Sequence, residues 1–186
     1  ASLALYHDMI VAAPADLIVT PETALPILSS QLPPNYLPDL TAFAQSSNSS
    51  LIAGVVMQDG ADQYANSVLG VGDGYVAQSY RYDKHHLVPF GEFIPFGFHW
   101  FVDMMKIPMG ELTSGDKVPQ AMQVKDQWVL PNICYESLFG EEIAKQLKAQ
   151  ISTKNGAATL LLNVSNLAWY GDSIAIPQHV QISQMR

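Results

Sequence analysis

The sequence contains little cysteine and little charge. Its 186 residues include one cysteine, Cys134, and only 14% of them are charged, with nine Lys and Arg in total. One cysteine excludes an internal disulfide and any metal site that is built from several cysteines. The net charge of −8 argues against a nucleic-acid partner, because such proteins need a cationic face to displace counterions from phosphates.

Long apolar runs are missing as well. A membrane-spanning helix needs roughly 18–20 consecutive apolar residues. The most apolar run, Ala157–Tyr170, contains Asn163, Ser165 and Asn166. The first nine residues include a His and an Asp and no basic leader, so we predict no signal peptide. Both ends of the chain fall in helix-like segments, and we interpret residues 1–186 as one domain from a longer protein.

Apolar residues make up 48% of the chain, which is enough for one packed core. Runs rich in β-branched residues alternate with segments of helical spacing, which indicates a mixed α/β sheet fold. The predicted strands are Leu17–Thr20, Leu51–Met57, Asn66–Gly70, Tyr75–Tyr80, Ala121–Val124, Gln127–Ile133 and Thr159–Val164, the first and last of them buried. The predicted helices are Ser2–Ala13, Leu40–Ser46 and Glu141–Ala149.

Three chemically reactive residues follow directly after predicted strands: Glu22, Lys84 and Cys134. Open α/β sheets place their chemistry at strand ends, so we expect these side chains to meet. Cys134 also stands where an apolar strand turns into a helix. A nucleophile at such a turn is exposed, and the neighbouring backbone N–H groups can receive an oxyanion. A carboxylate can take the thiol proton, while an ammonium offsets the negative charges.

Each of these residues has a plainer interpretation. A lone cysteine after an apolar strand is often an inert core residue, and Glu22 could be an acid in the first turn of a helix. Lys84 could be a surface lysine, although the apolar residues after it make that an unusual place. A Cys–His pair is a further alternative, but none of the five histidines has a favourable position in the pattern.

Three motifs carry a family resemblance. Pro21–Pro26 (Pro-Glu-Thr-Ala-Leu-Pro), Tyr82–Glu92 and Ile133–Glu136 resemble the Glu, Lys and Cys motifs of the nitrilase superfamily, the carbon–nitrogen hydrolases. More narrowly they are similar to the bacterial apolipoprotein N-acyltransferases, as is the tail Asn166–Arg186. The resemblance implies an αββα sandwich, incomplete at both ends. It also implies that this is a catalytic domain whose transmembrane bundle and terminal strands lie outside the chain.

The reaction implied by the resemblance needs no cofactor and no metal. An acyl chain passes from a phospholipid to a cysteine, as a thioester, and then to the N-terminal amine of a diacylglyceryl-cysteine apolipoprotein. The enzyme therefore works at a bilayer surface, as the periplasmic domain of an inner-membrane protein in a Gram-negative bacterium.

The resemblance also implies a role for each matched residue. Cys134 is the nucleophile, Glu22 the general base, and Lys84 with the Tyr135 backbone N–H holds the oxyanion. Glu92 orients Lys84. Two further matches lie beside the site, Glu136 next to the nucleophile and Trp169 as a candidate substrate contact. In one departure from the family pattern, Asn166-Leu167-Ala168 stands where Asn-Asp-Ala is more common.

An apolar connection, residues 90–108, suits a lipid substrate. Large apolar side chains on a mobile loop are costly in water but favourable against lipid. We therefore predict a lid formed by Phe90, Phe93, Phe96, Trp100, Phe101 and Met104. The alternative is a helix buried against the sheet. Two other functions remain open for the whole domain, a soluble amidase with the same residues and a non-catalytic lipid-binding domain.

Overall fold

The computed structural model describes residues 2–72, 79–96, 111–151 and 157–185, with the side chain of Trp169 left out. The strands are β1 (Leu17–Val19), β2 (Leu25–Leu28), β3 (Ser50–Gln58), β4 (Tyr64–Val71), β5 (Tyr80–Asp83), β6 (Met122–Val124), β7 (Gln127–Ile133) and β8 (Leu160–Val164). The α-helices are α1 (Ser2–Ala12), α2 (Tyr36–Ser47), α3 (Gly140–Ile151) and α4 (Ala175–Gln184). Short 3₁₀-helices span Ser29–Gln31, Cys134–Leu138 and Ala168–Tyr170.

The first sheet is built around β3. Strands β1 and β2 pair one after the other along one edge of β3, both parallel to it, and β4 pairs antiparallel along the other edge. Strand β5 continues the sheet beyond β4, also antiparallel. The chain between β1 and β2 must therefore leave the sheet and return within a few residues, and Glu22 lies in that interruption.

The second sheet has the order β6–β7–β8. Strands β6 and β7 form the predicted hairpin, with Lys125 at a φ of 53° in its turn. Strand β8 runs parallel to β7 and pairs with it from Leu160 opposite Val129 to Val164 opposite Ile133. The ends of β7 and β8 are therefore adjacent, so the residues that follow the two strands lie close together.

Two apolar clusters place the sheets and helices in layers. One lies between α1, α2 and the first sheet, and its members include Ile10, Leu40, Ala44, Leu51 and Val55. The other joins the two sheets and includes Ile52, Val68, Tyr82, Met122, Val129 and Ile133. On the outer face of the second sheet, residues of β7, β8, α3 and α4 line an open cleft of about 590 Å³. This order of layers is the predicted αββα sandwich.

The sequence predictions differ from the structure at several elements. Helix α2 begins at Tyr36 rather than Leu40, since Pro38 falls in its first turn, where a missing N–H costs no hydrogen bond. Strand β8 is not buried as predicted: Leu160 is 40% exposed, because within the described ranges β8 pairs only with β7. Strand β1 is likewise only partly buried. Most of the predicted strand Tyr75–Tyr80 lies outside the described residues.

Among the described residues, none of the helices has the length and the apolar character needed to cross a bilayer.

Candidate active site

Glu22 lies in the interruption between β1 and β2, against the backbone of β3. Thr20 fixes the start of this turn, because its N–H donates to Ile52 O at 3.0 Å and its Oγ1 accepts from Gly54 N at 3.1 Å. A Cβ on Gly54 would come within 2.3 Å of Pro21 O. Only glycine therefore lets the turn lie this close to β3, and the turn places a carboxylate that is 8% exposed.

Lys84 follows β5 and is almost fully buried, at 1% exposed. Its N–H donates to Asn66 O on β4 at 2.8 Å, and its carbonyl accepts from Gly115 N at 2.9 Å. A side chain on Gly115 would collide with Asp83 O, so this glycine is also required by close packing. The backbone of Lys84 is thus held on both sides, which fixes where the ammonium points.

Glu92 forms the shortest ion pair of the Lys84 ammonium. The Lys84 Nζ lies 2.9 and 3.0 Å from the two Glu92 carboxylate oxygens, and 3.7 Å from Glu22 Oε1. A tight turn brings Glu92 inward: Phe90 has a φ of 58°, and Glu92 Oε2 accepts from Val88 N at 2.8 Å. The carboxylate is therefore anchored to its own turn as well as to the lysine.

Asn66, in the middle of β4, joins the two carboxylates. Its Nδ2 donates to Glu22 Oε1 and to Glu92 Oε1, both at 2.8 Å. Sequence reasoning missed this residue, because an asparagine inside a strand gives no motif. A usable signal was present, since a buried polar side chain between apolar neighbours needs partners of its own.

These groups place two carboxylates around one ammonium in a nearly buried site. Removing one partner from such a cluster leaves an uncompensated buried charge, which typically costs about 3–5 kcal/mol. Each of these charged groups is therefore needed to stabilise the others. The arrangement leaves a net negative charge beside the thiol of Cys134.

Cys134 ends β7 in a strained backbone conformation, with a φ of 52°. It begins the 3₁₀-helix Cys134–Leu138, so the N–H of Tyr135 lies in a first turn, where such groups have no partner within the helix. The thiol is half-buried. Burial raises the pKa of Cys134 to about 11, with a further rise from the Glu22 charge and hydrogen bond, while the Lys84 charge and a hydrogen bond with Ser165 lower it.

The raised pKa of Cys134 differs from the expectation that the lysine would balance the charges. Burial is the largest cause of the raised pKa, and the Glu22 carboxylate adds to it against the opposing charge of Lys84. The resting site therefore holds a protonated thiol at neutral pH rather than a preformed thiolate. Reaction at this sulfur needs a base that takes the proton, and Glu22 is the carboxylate that interacts with it.

Glu136 is buried and ties the nucleophile turn to the lysine segment. Its Oε2 accepts from Tyr82 OH and from Ile133 N, both at 2.6 Å. Its Oε1 accepts from the backbone N–H groups of His85 and His86 at 2.8 and 3.0 Å. One carboxylate thus holds residues on both sides of Cys134 and of Lys84, so Glu136 positions the site.

A cluster of neutral polar side chains from β8, the segment after it and α4 contacts the backbone of Cys134. Asn163, at the end of β8, donates from Nδ2 to Cys134 O at 3.2 Å. Ser165 Oγ lies 2.7 Å from Asn163 Oδ1 and 2.9 Å from His179 Nε2 on α4. Sequence analysis did not predict this cluster, because its members come together only when α4 folds back over the second sheet.

The other described histidines have partners away from the sulfur. His85 Nδ1 lies 2.8 Å from Gly115 O, and His86 stacks on Phe139 and pairs with Glu142. His7 is on α1, and His99 lies outside the described residues. His86 also contacts the ring of Tyr135, and His179 Nε2 lies 3.1 Å from the Oδ1 of Asn163, whose Nδ2 donates to Cys134 O. A direct Cys–His pair is absent from the described part of the chain.

The described part of the apolar connection is exposed. Phe96 is fully exposed, Phe90 is 47% exposed, and Phe93 is half-buried. Two of the three described phenylalanines in this connection are therefore exposed. The remaining predicted lid residues, Trp100, Phe101 and Met104, lie outside the described residues, as does the side chain of Trp169.

Comparison with known sequences places the chain in a family. The carbon–nitrogen hydrolase family profile matches residues 2–186. The chain belongs to the carbon–nitrogen hydrolase family. It is 52% identical over 185 residues to the apolipoprotein N-acyltransferase of Ralstonia nicotianae, an alignment that covers 100% of this chain and 34% of that protein. It is 46% identical over 182 residues to the enzyme of the same name from Verminephrobacter eiseniae, covering 97% and 33%. The chain thus spans about a third of the length of these relatives.

Solved structures of carbon–nitrogen hydrolases share the fold. An amidase from Nesterenkonia sp. superimposes with a TM-score of 0.64 at 18% identity, covering 95% of this chain and 62% of the amidase. A carbon–nitrogen hydrolase from Helicobacter pylori gives a TM-score of 0.59 at 18% identity, covering 98% and 61%. The predicted nitrilase-type fold and the family resemblance are both confirmed.

Proposed function

We propose that this chain is the catalytic domain of an apolipoprotein N-acyltransferase. The proposal is supported by 52% identity to a relative of that name, by the 3.7 Å contact of Lys84 Nζ with Glu22 Oε1, and by the effect of both groups on the pKa of Cys134. The acyl donor is a phospholipid, and the acceptor is the α-amine of a diacylglyceryl-cysteine apolipoprotein. The domain works at the periplasmic face of the inner membrane, as part of a longer protein.

In the first half-reaction, Glu22 takes the thiol proton of Cys134 as the sulfur attacks the ester carbonyl of the phospholipid. A base is required because the thiol is protonated at neutral pH. The Lys84 ammonium and the Tyr135 N–H stabilise the oxyanion of the tetrahedral intermediate. Collapse breaks the ester C–O bond, Glu22 returns its proton to the leaving oxygen, and a lysophospholipid departs.

In the second half-reaction, the apolipoprotein amine attacks the thioester carbonyl. Glu22 takes a proton from the amine, and the same two donors hold the oxyanion. The C–S bond breaks, an amide forms, and the sulfur recovers a proton from Glu22. The rise in the pKa of Cys134 from burial and from Glu22 favours this reprotonated thiol, which returns the site to its starting state.

The exposed phenylalanines support a lipid substrate over a small soluble amide. Phe90 lies in the turn that carries Glu92 and Phe96 follows four residues after Glu92, and both are exposed, which places apolar surface close in sequence to the ion-paired site. A soluble amidase with the same three residues is the second candidate, and the fold shared with amidases at 18% identity favours neither function.

Mass spectrometry after incubation with phospholipid vesicles tests the proposal. The chain should gain one acyl group on Cys134, and addition of a lipopeptide with a free N-terminal amine should remove it and yield the acylated peptide. The Cys134→Ala variant should gain nothing, with Ser46→Ala as a matched surface control. A normal adduct in Cys134→Ala, or release of free fatty acid with no acylated peptide, would contradict the proposal.

A further inference from the structure

His86 follows Lys84 by two residues, but it reaches across to the chain that comes after Cys134. Its backbone N–H donates to Glu136 Oε1 at 3.0 Å, and its ring Nδ1 lies 3.1 Å from Glu142 Oε2. The first partner lies in the 3₁₀-helix that Cys134 begins, and the second lies in the first turn of α3. His86 therefore contacts both helices that follow the nucleophile.

Phe139 is the joint between these two helices. Its N–H donates to Glu136 O at 3.0 Å, which closes the 3₁₀-helix. Its carbonyl accepts from the N–H groups of Glu142 and Ile143 at 3.0 and 3.1 Å, which begins α3. The His86 ring stacks on the Phe139 ring, with centroids 3.6 Å apart and 18° between the planes. The histidine ring thus covers the residue at which one helix passes into the other.

Tyr135 completes a cluster of three rings. Its ring meets the Phe139 ring at 5.0 Å and the His86 ring at 5.7 Å between centroids, edge to face in both cases. Such contacts between aromatic rings are favourable and directional. The preceding residue, Cys134, has a φ of 52°, a conformation that persists only where the surrounding structure holds it. The ring cluster lies directly after this strained residue and is one of the contacts that can hold it.

The contact between His86 and Glu142 orients the ring more than it stabilises the fold. The two side chains are 30% and 38% exposed, and ion pairs at such positions contribute little to the free energy of unfolding. An ionised carboxylate only accepts hydrogen bonds, so Nδ1 carries a proton in this contact. The hydrogen bond therefore fixes the rotation of the ring that lies on Phe139.

We propose that His86 is a positioning residue that holds the Tyr135 backbone N–H where it can receive an oxyanion. Its ring acts through Phe139 and is oriented by Glu142. The inference rests on the acyl transfer proposed above, in which this N–H and the Lys84 ammonium stabilise the tetrahedral intermediate. An oxyanion donor has to lie about 2.7–3.1 Å from the oxygen, so a small displacement of the turn weakens the interaction.

Two reactions of Cys134 on the full chain separate this role from general packing. In acylation by p-nitrophenyl acetate, the sulfur attacks the ester carbonyl, Glu22 takes the thiol proton, and the ester C–O bond breaks to release p-nitrophenolate. This reaction forms an oxyanion. In alkylation by iodoacetamide, the sulfur displaces iodide and no oxyanion forms. Cys134 is the only cysteine in the sequence, and a Cys134→Ala chain gives the background of both reactions.

His86→Ala should slow the acylation of Cys134 by about tenfold, which is less than the complete loss of an oxyanion donor. It should change alkylation by less than about twofold, because Glu22, Lys84 and the burial of the thiol stay as they are. His85→Ala is the matched control, since its ring lies against Gly115 O. Neither rate should change appreciably in that variant.

Conservative variants divide the two contacts of the His86 ring. His86→Asn keeps an N–H near the Nδ1 position, and His86→Phe keeps a flat ring for the stack, so each should recover part of the lost acylation rate. Glu142→Gln should slow acylation by about threefold, because an amide oxygen is a weaker acceptor than a carboxylate. The exposed neighbour Glu141→Gln is its control. His86→Ala combined with Glu142→Gln should be no slower than His86→Ala alone, because the carboxylate acts through the ring.

Equal loss of both rates in His86→Ala would overturn the inference, as would unchanged acylation or additive losses in the double variant. Unfolding exposes the thiol and would speed alkylation, so thermal unfolding is measured for each variant. If His86→Ala does not fold, equal acylation of Glu142→Gln and Glu141→Gln would overturn the inference instead.

The parent chain separates this inference from the proposed function. A parent chain that p-nitrophenyl acetate acylates no faster than Cys134→Ala would also overturn the inference. A chain that gives the expected pattern with this ester but is never acylated by phospholipid vesicles would refute the proposed function alone.

Discussion

The two sheets contribute different kinds of side chains to the surroundings of Cys134. The first sheet and the turn after it contribute charge, with Lys84 held within 4 Å of both Glu22 and Glu92 and Asn66 bridging the two carboxylates. The second sheet contributes neutral dipoles from Asn163, Ser165 and His179. In the proposed reaction the charged groups move the proton and stabilise the oxyanion, whereas the neutral groups hold the backbone of Cys134. Changes to the charged groups should therefore alter the chemistry far more than changes to the neutral groups.

Removing the base should have the largest effect on the charged side. Glu22→Gln should slow thioester formation by about 10²–10⁴-fold, as expected for loss of a general base. The same change should speed simple alkylation of Cys134 at neutral pH, because the Glu22 carboxylate is one of the groups that raise the pKa of the thiol. Acyl-adduct kinetics and iodoacetamide kinetics measure the two rates, with Glu141→Gln as the control. Equal changes of both rates in one direction would contradict the assigned role.

Removing the ammonium should slow both rates. Lys84→Met takes away an oxyanion donor, which typically costs about 10²–10³-fold in the acyl-transfer step. The Lys84 charge also lowers the pKa of Cys134, so its loss should slow alkylation at neutral pH. Lys145→Met on the exposed face of α3 is the matched control. Alkylation that is faster in Lys84→Met than in the parent chain would refute this account.

Breaking the bridge between the carboxylates should have an intermediate effect. Asn66→Ala removes the N–H groups that hold Glu22 and Glu92, and we expect about a tenfold loss of acyl-transfer rate. Asn66→Asp should be worse in both rate and thermal stability, because it adds a third negative charge between two buried carboxylates. If Asn66→Asp unfolds at a higher temperature than Asn66→Ala, the bridging role is wrong.

The smallest effect is expected at a histidine close to Lys84 in sequence. His85→Ala should change acyl-adduct formation less than twofold or so, because its ring lies against Gly115 O rather than the sulfur. Its backbone N–H, which donates to Glu136, is unchanged by the substitution. A loss as large as that of Glu22→Gln would bring the Cys–His alternative back.

The local sequence pattern was sufficient to predict that Glu22, Lys84 and Cys134 follow strand ends. Glu22, Lys84 and Cys134 each follow a short apolar run, and the structure puts each just past the end of β1, β5 or β7. Strands β1 and β5 run in the same direction in the first sheet, so both end at one edge although two strands lie between them. The sandwich fold itself was predicted from alternating strands and helices, together with the family resemblance.

Tertiary contacts determine the features of the site that the local sequence pattern did not predict. Asn66 acts from the middle of a strand, and Ser165 meets His179 only because α4 crosses the second sheet. The expected burial of β8 was wrong because burial depends on how many strands flank an element, which its own sequence does not encode. The thiol pKa also depends on burial and on the charges of Glu22 and Lys84, which come from two distant segments, so its direction followed only from geometry.

At position 134, the left-handed backbone conformation favours glycine, whereas the proposed reaction requires the cysteine side chain. An L-residue with a side chain loses about 1–2 kcal/mol in this conformation, whereas glycine adopts it freely. A Cys134→Gly chain would therefore lack the nucleophile, but it would also lack the backbone strain at this position. Family members that keep the fold but have lost the reaction should tend to have glycine at this position. Residue 134 can therefore identify inactive members of the family.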